Sequence, residues 1–168
     1  MRPYGSGPNR FPLEVWGGAC AHRIWSGFTL IEILIVLAIL GTIAAFAIPA
    51  YTRAVDNAKV AAAIGDIRAL ENDVSAYEAV NGKPPDTLDQ INRGGLVDPW
   101  QRPYEYLVFS GNKGTARKDK FLVPLNSTYD LYSRGKDGKT KLPLNTKVSW
   151  DDVIRANDGA YVGLASGY

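Results

Sequence analysis

Cysteine, histidine and methionine each occur only once in the 168 residues. Both Cys20 and His22 precede residue 28. A chain cut at that point keeps no thiol and no imidazole. That excludes an intrachain disulfide, a Cys- or His-ligated zinc site and His-assisted nucleophilic catalysis. An excess of one charge is also lacking: 19 basic against 17 acidic side chains give a net of +2, too little for a dedicated nucleic-acid binder. The excess is local, because residues 1–27 hold Arg2, Arg10 and Arg23 against Glu14 and the remainder balances. There is no internal repeat and no low-complexity tract. At 46% hydrophobic and 21% charged, the chain is not a disordered one. Its length fits one domain with something extra.

The extra part is a single apolar run. Phe28–Ala50 has 23 residues and one charge, Glu32. As a helix it reaches ~34 Å, enough for a hydrocarbon layer of ~30 Å. An ordinary signal anchor accounts for this. A cleaved secretory signal fits poorly, since the run is too long and Ala45-Phe46-Ala47 leads straight into more helix. A lipoprotein signal is also weak, because no apolar stretch precedes Cys20. Glu32 is the anomaly. A carboxylate in a bilayer core costs a few kcal/mol and is usually paired and functional. The plainer alternative places it at the interface, snorkelling from the helix start. Residues alone leave these two open.

Beyond Pro49 the helical pattern continues. Val60, Ile64, Ile67, Leu70, Val74 and Tyr77 recur at spacings of three and four, one apolar stripe. A coiled coil would give the same pattern, but the stripe lasts under three heptads. Asn81-Gly82 and Pro84-Pro85 end the helix. Asp86 is expected to cap a short helix at Thr87–Gln90. Strands are expected at Tyr104–Phe109, Phe121–Val123, Tyr129–Ser133 and Tyr161–Leu164, and a helical turn at Asp152–Ala156. Helix first and small antiparallel sheet second is an α+β order. The predicted divisions are a leader (1–27), a membrane helix (28–50), its amphipathic continuation (51–82) and a β domain (83–168).

Gly27-Phe28-Thr29-Leu30-Ile31-Glu32, opening an apolar helix, resembles the prepilin-peptidase signature of type IV pilins and type II secretion pseudopilins. The resemblance implies a cut between Gly27 and Phe28, N-methylation of Phe28, and an assembly role for Glu32. Pro49 also matches a family position, and with Gly41 it implies local bending during assembly. The leader departs from the pattern: it is 27 residues long, with Trp25-Ser26 before Gly27. Arg23 favours an N-in orientation. Asp98-Pro99-Trp100-Gln101-Arg102-Pro103-Tyr104 is similar to the DPWGxPY stretch of the major pseudopilin, with Gln101 replacing the usual Gly. Tyr129–Gly138 is similar to its YDLYSxGxDG stretch. Three such motifs in order are specific. They imply a pilin-like fold: a long N-terminal transmembrane helix packed on a small antiparallel sheet, with a C-terminal calcium-binding-type loop.

Asp137, Asp151, Asp152 and Asp158 are carboxylates without His or Cys, a set suited to a hard cation such as Ca²⁺. A turn at Asp137-Gly138 and helix-capping by Asp151 and Asp152 explain the same residues, and the spacing is not an EF-hand. The resemblance implies a Ca²⁺ site formed by Asp137, the carbonyl of Arg134, Asp151 and Asp152, with Asp158 in reserve. Such a metal would replace the missing disulfide as a staple.

Other signals carry less. Gly111–Thr115 lacks Walker spacing and reads as a hairpin tip, with Arg117, Lys118 and Lys120 solvated around it. Trp100 and Trp150 read as core or loop anchors, Ser133 has no His partner, and Asn126-Ser127-Thr128 is a sequon. The resemblance implies a non-enzymatic subunit of a type II secretion pseudopilus. Its implied partners are its own copies, prepilin peptidase, the inner-membrane assembly platform and minor pseudopilins. It would be single-pass in the bacterial inner membrane, with the C-terminal domain periplasmic. A type IV pilin of a surface filament is the neighbouring alternative, and a monomeric anchored enzyme or binding module is the distant one.

Overall fold

The computed structural model describes residues 27–109 and 114–168. Residues 1–26 of the leader, with Cys20, His22 and Arg23, and most of the Gly111–Thr115 loop lie outside the described residues. Two compact units result, one ending at Thr42 and one spanning Ile43–Tyr168. A single helix, α1 (Leu30–Asn81), supplies the described helix of both.

The first unit's helix is apolar all round, and its large side chains from Leu30 to Leu40 are exposed. Such a surface needs lipid or other helices to cover it. By length and composition α1 can cross a membrane. Thr29 caps its start: Thr29 Oγ1 accepts the Glu32 N–H at 3.3 Å. The helix continues through Gly41 and Pro49.

In the second unit, α1 buries Ala63, Ile67, Leu70 and Val74, at spacings of four, three and four. This is the predicted stripe, with Val60 and Ile64 half-buried at its edge. The helix stops at Gly82, whose φ of 72° supplies the left-handed turn, and its N–H donates to Glu78 O at 2.7 Å. The sheet is an antiparallel meander of β1 (Glu105–Val108), β2 (Tyr129–Ser133), β3 (Val153–Ala156) and β4 (Tyr161–Leu164), in that order. Register pairs include Tyr106 with Leu131, Tyr132 with Ile154, and Ile154 with Gly163. Tyr104, Tyr129, Leu131 and Val153 pack with the helix stripe. Leu125, Leu144, Ile154, Ala156 and Ala165 form a second apolar cluster. Adjacent Val153 and Ile154 belong to different clusters, as strand alternation requires.

Three sequence expectations are corrected. Asp152–Ala156 is not a helical turn: Val153–Ala156 is β3, buried on both faces, and double burial with β-branched residues selects a strand. Phe121–Val123 is not a strand. Asp119 folds it into a turn, its Oδ1 accepting the N–H groups of Phe121 and Val123 at 2.8 Å each, with Leu122 at φ 64°. Asp86 does not cap the short helix. That element is a 3₁₀ turn, Leu88–Ile91, preceded by Thr87, and Asp86 pairs with Lys83 at 3.3 Å.

Candidate functional site

Two places concentrate the residues singled out by sequence. The first is the start of α1. Gly27 and Phe28 are exposed and lie outside the helix. Glu32 lies in the first turn, where a carboxylate complements the helix dipole. Thr29-x-x-Glu32 is half of a capping box, with the Thr29-to-Glu32 bond made. The Thr29-x-x-Glu32 spacing is the sequence signal for this local role of Thr29.

The second is the turn after β2, and Asp98 organises its base. Buried Asp98 accepts the N–H groups of Trp100 and Arg102 through Oδ1 at 2.9 Å each, and the Ser133 hydroxyl through Oδ2 at 2.5 Å. Ser133 Oγ in turn accepts the Gly135 N–H at 3.1 Å. The lone Ser133 is therefore a structural link between two motifs. Asp98 N–H also donates to Arg102 O at 2.7 Å, closing a tight turn that holds Gln101 at φ 67°. The position where the resemblance expects Gly is thus a left-handed one, occupied by Gln at some strain.

Around the turn the predicted ligands separate. Asp137 and Asp151 come together: Asp137 N–H donates to Asp151 Oδ2 at 2.9 Å. Gly135, at φ 61°, lies so close to the Asp151 carbonyl that a Cβ would collide with it. The Arg134 side chain pairs with Glu105 at 2.6 Å. Asp152 goes elsewhere. It is buried in an ion pair with Arg117, Nη2 to Oδ2 at 2.7 Å, and Thr140 bridges the two. Its Oδ1 has no hydrogen-bond partner among the described residues. Burial pushes the Asp152 carboxyl up to about 6, against the lowering pull of Thr140 and Arg117. Asp158 is tied to Ser127, whose N–H it accepts at 2.7 Å, and to Arg155.

Arg117 corrects a prediction. It is not a solvated tip residue but is 2% exposed, stacked 4.1 Å from the centre of the Tyr132 ring. Buried Asp130 accepts its N–H at 2.6 Å, and burial raises the Asp130 carboxyl as well. Sequence reasoning also missed Arg155, which is buried between Tyr129 and Glu71, with Nε to Glu71 Oε1 at 2.9 Å. The sequon residue Asn126 is buried, its amide donating to Asp130 and to the Arg155 carbonyl at 2.9 Å each. Trp100 packs on the helix-side cluster as anticipated. Trp150 is 43% exposed and lines a cavity of ≈ 400 Å³ with Trp100, Val60 and Leu164.

The donor chemistry fits a hard cation in part. Asp151 receives the Asp137 N–H, while the Asp137 carboxylate accepts the Lys139 N–H through Oδ1 at 2.7 Å; both are hard oxygen donors. Among the described residues no three His, Cys, Asp or Glu side chains group as a metal site. Any cation there would depend on carbonyls and water to complete its shell.

The fold and helix start together define a class: α+β, pilin-like subunits carried on one apolar N-terminal helix. Comparison with known proteins narrows it. The prokaryotic N-terminal methylation motif matches residues 26–48. The type II secretion system core protein G of Pseudomonas aeruginosa is 36% identical over 139 residues, covering 70% of this chain and 88% of that protein. The Vibrio cholerae protein of the same name is 31% identical over 138 residues, covering 70% and 84%. A fimbrial protein of Neisseria meningitidis is 42% identical over 148 residues, covering 86% and 87%. No solved structure gives a significant match. The chain belongs to the pilin-like family of type II secretion system core protein G.

Proposed function

We propose that this chain is the structural subunit of a type II secretion pseudopilus and catalyses nothing itself. The observation that carries the reading is the similarity to core protein G over most of that protein's length, together with the matched methylation motif. The precursor sits in the inner membrane, N-in, with the second unit in the periplasm. Prepilin peptidase cuts between Gly27 and Phe28 and methylates the new amine. The subunits then polymerise through α1 on the assembly platform, with minor pseudopilins, and the filament drives folded proteins across the outer membrane. In the bundle, the amine of one copy and Glu32 of the next neutralise each other, because an isolated charge in a low-dielectric interior is expensive.

Calcium belongs to the same proposal. Asp137, Asp151 and the Arg134 carbonyl would hold it, and Asp152 acts as the counter-charge of Arg117 instead. A bound Ca²⁺ would supply binding energy available only to the folded turn. A surface type IV pilin is the second reading, favoured by the Neisseria fimbrial similarity. Filament location separates the two: periplasmic for a pseudopilus, extracellular for a pilus. Mass spectrometry of the protein from its native membrane tests the shared first step. The expected N-terminus is methyl-Phe28. An intact Met1 start in cells with active peptidase overturns the processing.

A further inference from the structure

The turn that precedes Asp137 already contains a cation. The Arg102 guanidinium donates through Nη1 to Gly135 O at 2.5 Å and through Nη2 to Lys136 O at 3.3 Å. Gly138, at φ 70°, faces it so closely that an added Cβ would fall 2.6 Å from Arg102 Cζ. Its base is fixed independently, because Asp98 accepts the Arg102 N–H while also holding Ser133, the residue that accepts from Gly135. Arg102 thus leaves one motif and threads into the other. It takes the role in which a metal would gather carbonyl oxygens, using a planar fork suited to two acceptors.

We propose that Arg102 is the resident cation of the 134–138 turn, closing it whether or not a metal is bound. Two consequences follow. The carbonyls of Gly135 and Lys136 are committed to Arg102, which leaves the Arg134 carbonyl for any metal. The turn is also preformed, so a metal would add to an existing structure rather than create it. The metal half of this inference rests on the calcium reading above; the arginine half does not.

Hydrogen–deuterium exchange on the mature chain in detergent micelles tests both halves. The reporters are the amides of Gly135, bonded to Ser133 Oγ, and Asp137, bonded to Asp151 Oδ2. In EGTA, wild type should keep these amides protected, and Arg102→Ala should exchange them at least ~10-fold faster. Arg102→Lys, which keeps the charge and loses the fork, should fall between. Calcium should restore protection to Arg102→Ala and not to Arg102→Ala/Asp137→Ala. Wild type that exchanges in EGTA as fast as Arg102→Ala overturns the resident cation. If calcium changes neither variant, the calcium reading fails while the EGTA comparison still decides the arginine.

Discussion

At the residue scale, Gln101 is the departure with a measurable consequence. Its φ of 67° is a backbone state that costs a non-glycine residue about 1–2 kcal/mol. The Asp98 carboxylate and the Asp98–Arg102 backbone bond hold it there. Gln101→Gly should therefore stabilise the protein, by roughly 0.5–1 kcal/mol after glycine's larger unfolded entropy is subtracted. Urea denaturation would read this as a higher midpoint at constant slope; a lower midpoint contradicts the strain. The residue type at 101 was visible in the sequence, but its left-handed geometry follows from a hydrogen-bond network that also involves Ser133, in a separate motif.

Elements show a different division. The α1 stripe and β1, β2 and β4 were legible because periodicity is local, and nearest neighbours along the chain decide it. β3 was not. Asp152–Ala156 is too short for any period to show, and what makes it a strand is burial between two apolar clusters. Arg117 failed for the same reason. Arg-Lys-Asp-Lys reads as a polar tip, and it is distant residues, Asp152 35 positions on and Tyr132, that take the first Arg inside. That pair joins the segment before Leu125 to the start of β3, with Thr140 between. Asp152→Ala should leave Arg117 buried without its counter-charge and cost about 3–5 kcal/mol. Thermal or urea unfolding of the variant measures the loss, and a change under 1 kcal/mol would mean that water already serves Arg117.

For the whole molecule, the apolar surface of α1 from Leu30 to Leu40 needs lipid or other helices to cover it. Glu32 is the one charge in that stretch. Glu32→Ala removes the charge while leaving the Thr29 cap intact, since Thr29 accepts from the backbone of residue 32. The mature N-terminus should still appear, and filament yield should fall at least ~10-fold in sheared-fibre assays. Normal yield would remove Glu32 from assembly. The sequence by itself determined the apolar N-terminal helix, its methylation motif, the α+β order and the acidic composition of the last loop, because each is a local pattern of size, polarity or spacing. Tertiary structure alone decided which acids meet: Asp137 with Asp151, Asp152 with Arg117, Asp98 with Ser133. Those pairings join residues far apart in the chain, and the charge partner of a buried group is set by what packs against it.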